Sequence, residues 1–238
     1  KKNRMGEIKV IAFDADDTLW ENETYFKEAE DQFAETLIRW YPKQYSIDEL
    51  FRTEMKNLSA YGYGAKSFTL SMIETLLRLG GDNVTPKMVS TVLEAGDKVI
   101  THKVECLPEV EETLKVLNRS YKLVMITKGD LLHQQRKLRE SGLSCYFDHI
   151  EIISEKDRDE YHRVINLLGI KPTEFMMVGN SLKSDIIPPL EIGATAIYIP
   201  FEHTWQHEHS EEPNTDDGRY YKIKKISELV NLIHQITQ

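Results

Sequence analysis

A chain of 238 residues with 40% apolar residues has enough material for one large or two modest hydrophobic cores and reads as globular. Its 30 basic residues against 39 acidic ones leave a net charge of −9, which removes the electrostatic attraction that nucleic-acid binding depends on, so no nucleic-acid partner is expected. No apolar run approaches the roughly 20 residues of a membrane span, and the stretch KKNRMGE has no apolar signal core behind it, so no membrane partner and a cytoplasmic location are expected.

The first predicted element is a buried strand over Val10 to Phe13, inside the stretch VIAFDADDTLW that runs from Val10 to Trp20. It delivers two carboxylates on alternate residues, Asp14 and Asp16. On a straight strand the two share a face, and in a turn backbone carbonyls join them instead. Either arrangement gathers oxygens in a small volume, where like charges repel unless a hard divalent cation such as magnesium sits between them. A solvated turn after a strand would place aspartates here as well.

Four helical segments follow Trp20, with apolar residues at helical spacing: Phe26 to Trp40, Leu50 to Leu58, Leu70 to Leu77 and Val89 to Val99. Ser46 with Glu49 reads as a capping box, and Thr85 before Pro86 as a cap with proline at the first helical position. From Leu107 the pattern alternates. Short strand-like runs at 122–127, 149–153, 175–179 and 195–199 are separated by helix-length segments that end in Gly142, Gly169 and Gly193. The expected fold is therefore α/β, a doubly wound parallel sheet with an all-helical insertion after its first strand, divided as 1–20 with 106–238 for the core and 21–105 for the insertion. Cys106 and Cys145 are too few for a disulfide framework and read as packing residues.

Ligands of such sheets gather beyond the carboxyl ends of the strands. Here those ends carry Asp14 and Asp16, then Thr127 and Lys128, then Lys156, then Gly179, Asn180, Ser181 and Asp185. This set resembles the haloacid dehalogenase (HAD) superfamily, of the type with a helical cap inserted after the first strand. The likeness rests on Asp14-Ala15-Asp16-Asp17-Thr18 as DxDxT, Thr127 at a strand end, Lys156, and VGNSLKSD from Val178 to Asp185, in the family's order.

The resemblance implies a Rossmann-like core and phosphoryl transfer, since dehalogenases proper lack the second aspartate. It implies Asp14 as nucleophile, Asp16 as acid/base, Thr127 and Lys156 as phosphate-binding residues, and Mg²⁺ as cofactor. Metal ligands would come from Asp14, Asp16 and the fourth segment. There the family usually has GD where this chain has Gly179-Asn180, so Asn180 or Asp185 takes the role. Lys171 is a rival to Lys156 but lies close to the next strand, and Lys183 is expected to be solvated or phosphate-adjacent.

The stretch from Tyr61 to Phe68 mixes aromatic rings, glycines and one cation, so Tyr63 and Lys66, together with Lys128, are expected to meet the substrate. His203, His207 and His209 lie in an acidic segment whose spacing fits no closed zinc site, so a solvated loop is the simpler reading. The expected activity is a magnesium-dependent phosphatase acting on a small phosphorylated metabolite through an aspartyl-phosphate. The alternatives are a phosphomutase of the same superfamily and a non-catalytic phospho-receiver-like module. The sequence leaves the oligomeric state open.

Overall fold

The computed structural model describes residues 7–214 and 218–237, so Lys1 to Gly6 of the charged N-terminal stretch lie outside it. The chain divides into two compact units, 1–21 with 104–127 and 135–238, and 22–103 with 128–134.

The first unit is built on a six-stranded sheet in the order β3-β2-β1-β4-β5-β6. The strands are β1 (Val10–Phe13), β2 (Lys122–Lys128), β3 (His149–Ile153), β4 (Phe175–Gly179), β5 (Thr195–Tyr198) and β6 (Tyr220–Lys222). β1 pairs in parallel with β2 and β4, β4 with β5, and β5 with β6. Every residue of β1 is buried, as expected of a strand covered on both faces.

Alternation assigns the faces. Ile11, Phe13, Leu123, Met125, Met176 and Val178 point into one core, shared with Val110 and Leu114 of α5 (Val110–Leu117) and Leu229 of the last helix, Glu228–Thr237. Val10, Ala12, Val124, Ile126 and Met177 point into the other, with Tyr161, Val164 and Ile165 of Arg158–Leu168. Because the chain winds outward from β1 to β3 and then crosses to β4, the sheet order reverses between β1 and β4. Their carboxyl ends open the crevice where such sheets bind ligands.

The second unit holds α1 (Glu23–Leu37), α2 (Lys43–Tyr61), α3 (Ala65–Gly80) and α4 (Pro86–Thr101). They pack around Phe33, Leu37, Leu50, Phe68, Met72, Leu76, Val92 and Val99. Thr85 caps α4 as the sequence suggests, its side chain accepting from Met88 N–H at 3.3 Å, with Pro86 at the first helical position. The Ser46–Glu49 capping box does not form. α2 starts a turn earlier after Pro42, Ser46 is fully buried inside it, and the Glu49 carboxylate is held by Arg78 at 2.5 Å. Segment 128–134 belongs to this unit because Asp130 Oδ2 accepts from Lys66 N–H at 3.2 Å and its carboxylate pairs with Lys66 Nζ at 3.5 Å.

The loop between α2 and α3 is three residues, Gly62 to Gly64, shorter than the stretch from Tyr61 to Phe68, because Ala65 already begins α3 and Phe68 packs inside the helical core. One smaller expectation fails. Both cysteines are exposed, since Val104 and Leu143 beside them face the core in their place.

Glu54 of α2 carries a buried side-chain oxygen with no hydrogen-bond partner among the described residues. Burial pushes its carboxyl up to about 8, and the charge of Glu30 adds to this. A folded state with the raised value binds more protons than the unfolded chain between about pH 4.5 and 8. Stability therefore falls by up to about 1.4 kcal/mol per pH unit as pH rises through that window. Glu54→Gln is expected to flatten the pH dependence of Tm between pH 6 and 9 and to raise Tm at pH 9 by several degrees. An unchanged slope in thermal melts would show that Glu54 is charged in the folded protein.

Candidate active site

Asp14 continues the β1 ladder, its N–H donating to Val178 O at 2.9 Å, so its side chain stands where β1 and β4 part. The chain then turns sharply: Asp17 adopts φ +61°, and the amides of Thr18 and Leu19 both return to Ala15 O. This turn, and not a straight strand, is the arrangement that follows Asp14. It aims the Asp16 carbonyl inward and lets Thr18 Oγ1 donate to Asp14 Oδ2 at 3.2 Å.

Lys156 lies between β3 and α7 (Arg158–Leu168), whose N-terminus is capped by Asp157 accepting from Glu160 N–H at 2.9 Å. Its side chain is fully buried. Lys156 Nζ donates to Asp14 Oδ1 and, at 2.8 Å, to Asp185 Oδ1. Burial favours neutral amine, but the two carboxylates outweigh it and raise the Lys156 pKa, so it remains an ammonium. Burial raises the Asp14 carboxyl to about 7, and Lys156 works against that shift.

Asp185 uses both oxygens, accepting Lys156 on Oδ1 and the Ser181 N–H on Oδ2 at 3.0 Å. It presses on Gly179 so closely that an added Cβ would lie 2.3 Å from Oδ2, which explains glycine there. Thr127, buried at the end of β2, lies two residues beyond Met125, the partner of Phe13 in the ladder.

The amide end of Asn180 lies 3.3 Å from Asp14 Oδ2 and 3.2 Å from the Asp16 carbonyl. With nitrogen turned inward it donates to both. With oxygen turned inward, three acceptor oxygens meet, an arrangement that suits a hard divalent cation. Among the described residues no three His, Cys, Asp or Glu side chains converge on a metal. The set at Asn180 differs in kind, since it needs one carboxylate, one amide and one carbonyl.

The Asp16 side chain points elsewhere. Trp20 Nε1–H donates to Asp16 Oδ1 at 2.7 Å, and Lys137 Nζ reaches the same oxygen at 2.5 Å. Lys137, in α6 (Leu131–Ser141), is 1% exposed and is a site residue that sequence reasoning missed. Its signal was a helix with few apolar residues on the face that must meet the sheet.

In the helical unit, Lys128 Nζ lies 4.0 Å above the Tyr63 ring, and Lys66 is paired with Asp130. After β5 the histidines are engaged separately. His207 Nε2 lies 2.8 Å from Lys183 Nζ, and His209 Nε2 lies 3.0 Å from Thr204 O. Lys171 is placed away from this set, next to β4's start in the turn Pro172 to Glu174, where its N–H donates to the Glu174 carboxylate at 2.8 Å.

A family model described as haloacid dehalogenase-like hydrolase matches residues 8–193. The chain belongs to this family. A haloacid dehalogenase-like family hydrolase from Xanthomonas campestris superposes with a TM-score of 0.86 at 34% identity, covering 100% of this chain and 97% of that one. A glyceraldehyde 3-phosphate phosphatase from Methanopyrus kandleri is 27% identical over 240 residues, 97% of this chain and 99% of its own. The N-acylneuraminate-9-phosphatase of Mus musculus is 27% identical over 134 residues, 54% of this chain and 52% of its own. A 2-haloacid dehalogenase from Pseudomonas syringae, at 20% identity and a TM-score of 0.63 over 96% of this chain and 99% of that one, shares the fold. As a HAD-like hydrolase the chain has an α/β core of Rossmann type. Among the described residues no helix is long and apolar enough to cross a membrane.

Proposed function

We propose that this HAD-like hydrolase is a magnesium-dependent phosphatase that hydrolyses a small phosphorylated metabolite through an aspartyl-phosphate on Asp14. The observation that carries the reading is the buried Asp14 carboxylate, with an ammonium on Oδ1 and the hydroxyl of Thr18 on Oδ2. An attacking carboxylate and an anionic phosphate meet only where positive charge is already in place. Mg²⁺ would be held by Asp14 Oδ2, the Asp16 carbonyl and Asn180 Oδ1, and when bound it supplies further neutralisation of the phosphoryl oxygens.

Asp14 Oδ1, beside Lys156, attacks phosphorus and the bond to the leaving oxygen breaks. Asp16, an anion beside Lys137 in the substrate-free protein, takes up a proton in the substrate complex and gives it to that oxygen. In the second step Asp16 takes a proton from water, the water oxygen attacks phosphorus, and the bond to Asp14 breaks to release phosphate. Thr127 donates to a phosphoryl oxygen. Asp185 keeps Lys156 in place, the role its two occupied oxygens favour over metal ligation. Lys137 and Trp20 both donate to Asp16 Oδ1 and hold the carboxyl at that oxygen. The second aspartate supports phosphoryl transfer over carbon–halogen cleavage, and so do the names of the curated relatives.

Those relatives are named for glyceraldehyde 3-phosphate and for an N-acylneuraminate phosphorylated at position 9, which makes sugar-like phosphates and short phosphorylated acids the first substrates to test. Choice among them is assigned to Tyr63, Lys66 and Lys128, because the phosphoryl-binding residues meet only what every candidate shares. The purified protein is expected to release phosphate from members of a panel holding glyceraldehyde 3-phosphate, phosphoglycolate, hexose phosphates, nucleotides and p-nitrophenyl phosphate. Release should stop with chelator and return with magnesium. No release from any member with magnesium present, or full release under chelator, would overturn the reading.

A further inference from the structure

Asn180 stands where the family usually carries an aspartate, so the metal site as assigned is short of one negative charge. Asp14 and Asp185 against Lys156 leave a net −1, and Asp16 with Lys137 cancels. Affinity for a divalent cation falls as its ligands carry less negative charge.

A carboxylate reaches the same turn from a distant part of the chain. Glu208, in the segment after β5, accepts through Oε2 from the hydroxyls of both Ser181 and Ser184. Those two serines frame the turn that follows Asn180: Ser181 Oγ accepts from Ser184 N–H at 3.0 Å, and Ser181 N–H binds Asp185. Asn180 and Glu208 also line one cavity of about 190 Å³, with Leu182, Tyr198 and His209. Glu208 belongs to the same electrostatic field as the site. Burial raises the Tyr161 hydroxyl, and the charges of Asp185, Asp14 and Glu208 each add to the effect. Tyr161 in turn donates to Ser184 O at 2.9 Å.

We propose that Glu208 supplies, from outside the four family motifs and through the Ser181–Ser184 turn, the negative charge that Asn180 does not carry, and that it thereby sets the affinity for the divalent cation. The inference rests on the metal assignment made above. It gives the segment after β5 a purpose beyond its histidines: His207 meets the exposed Lys183 of the fourth motif, whereas Glu208 bonds the two serines that frame the turn after Asn180.

Magnesium binding to the substrate-free protein, followed by titration calorimetry, separates the two layers. If the unaltered protein binds no Mg²⁺, the metal assignment itself fails. If it binds, Glu208→Gln is expected to weaken binding by roughly 10-fold or more, the loss typical of removing a residue that supports a ligand. Asn180→Asp in the same chain is expected to bring the affinity back to within about threefold of the starting value, because it returns the charge by the direct route. Unchanged binding in Glu208→Gln overturns the proposal. So does a loss that Asn180→Asp leaves unrepaired, since Glu208 would then only be tethering its segment. Should Glu208→Gln fail to fold, Ser184→Ala cuts one of the two links from the other side. It is expected to weaken Mg²⁺ binding several-fold, with unchanged binding again overturning the proposal.

Discussion

Asp14→Asn is expected to lower phosphatase turnover by at least about 10⁴-fold while the fold survives, a loss on the scale seen when a covalent nucleophile is removed. The amide keeps the shape and still fits beside Thr18, but it has no oxygen able to attack phosphorus. Asp16→Asn separates the two steps of the mechanism. An aryl phosphate whose leaving group needs no proton should still phosphorylate Asp14 in that variant, although slowly. Turnover of an alkyl phosphate should fall by about 10²–10⁴-fold, the range of a general acid. Acid-quenched samples of Asp16→Asn should then carry protein-bound phosphate, and Asp14→Asn samples none. Wild-type turnover of p-nitrophenyl phosphate by Asp14→Asn would rule out the covalent route.

Lys156→Met combines a catalytic and a structural loss. It leaves Asp14 and Asp185 facing each other in the interior without their shared cation. Removing one partner of a buried ion pair costs about 3–5 kcal/mol, and at roughly 2–4 °C per kcal/mol for a chain of this size Tm at pH 8 should fall by about 6–20 °C. Part of that loss should return on acidification. Without Lys156 nothing opposes the burial that raises the Asp14 carboxyl, so the folded variant binds a proton there that the unfolded chain does not, and it gains stability as pH falls towards 5. Activity should be lost at every pH. A variant with wild-type Tm at pH 8 would mean that Lys156 is not buried between the carboxylates in solution.

The sequence was most legible where one chemical pattern allows one structure. Short β-branched and apolar runs such as Val10 to Phe13, too brief for a helix, suit a strand covered on both sides, and the glycines at 142, 169 and 193 all adopt the left-handed backbone that closes a helix. The order of polar strand ends was readable for the same reason, since parallel strands place their carboxyl ends together. The membership of the final strand was not. β6 has three residues, all at least partly exposed, so Tyr220 to Lys222 lacks the apolar run that marks an interior strand. Ser46 and Glu49 imitated a cap because their spacing is right, although the helix had already begun at Lys43. Lys137 and Glu208 were invisible for a different reason. Charged residues are ordinarily solvated, and only the fold shows that these two meet Asp16 and the serines of the fourth motif.

Gly179 and Asn180 sit side by side under opposite constraints. The first is pressed by Asp185 and closed to any side chain, so every substitution there displaces the carboxylate that steers Lys156. The second has room for an amide or an acid of the same shape, and the two differ by one negative charge. Variation at the pair is therefore confined to position 180. An exchange of Asn for Asp there alters the charge of the turn without moving its backbone, while any side chain at 179 has to push the Asp185 carboxylate aside.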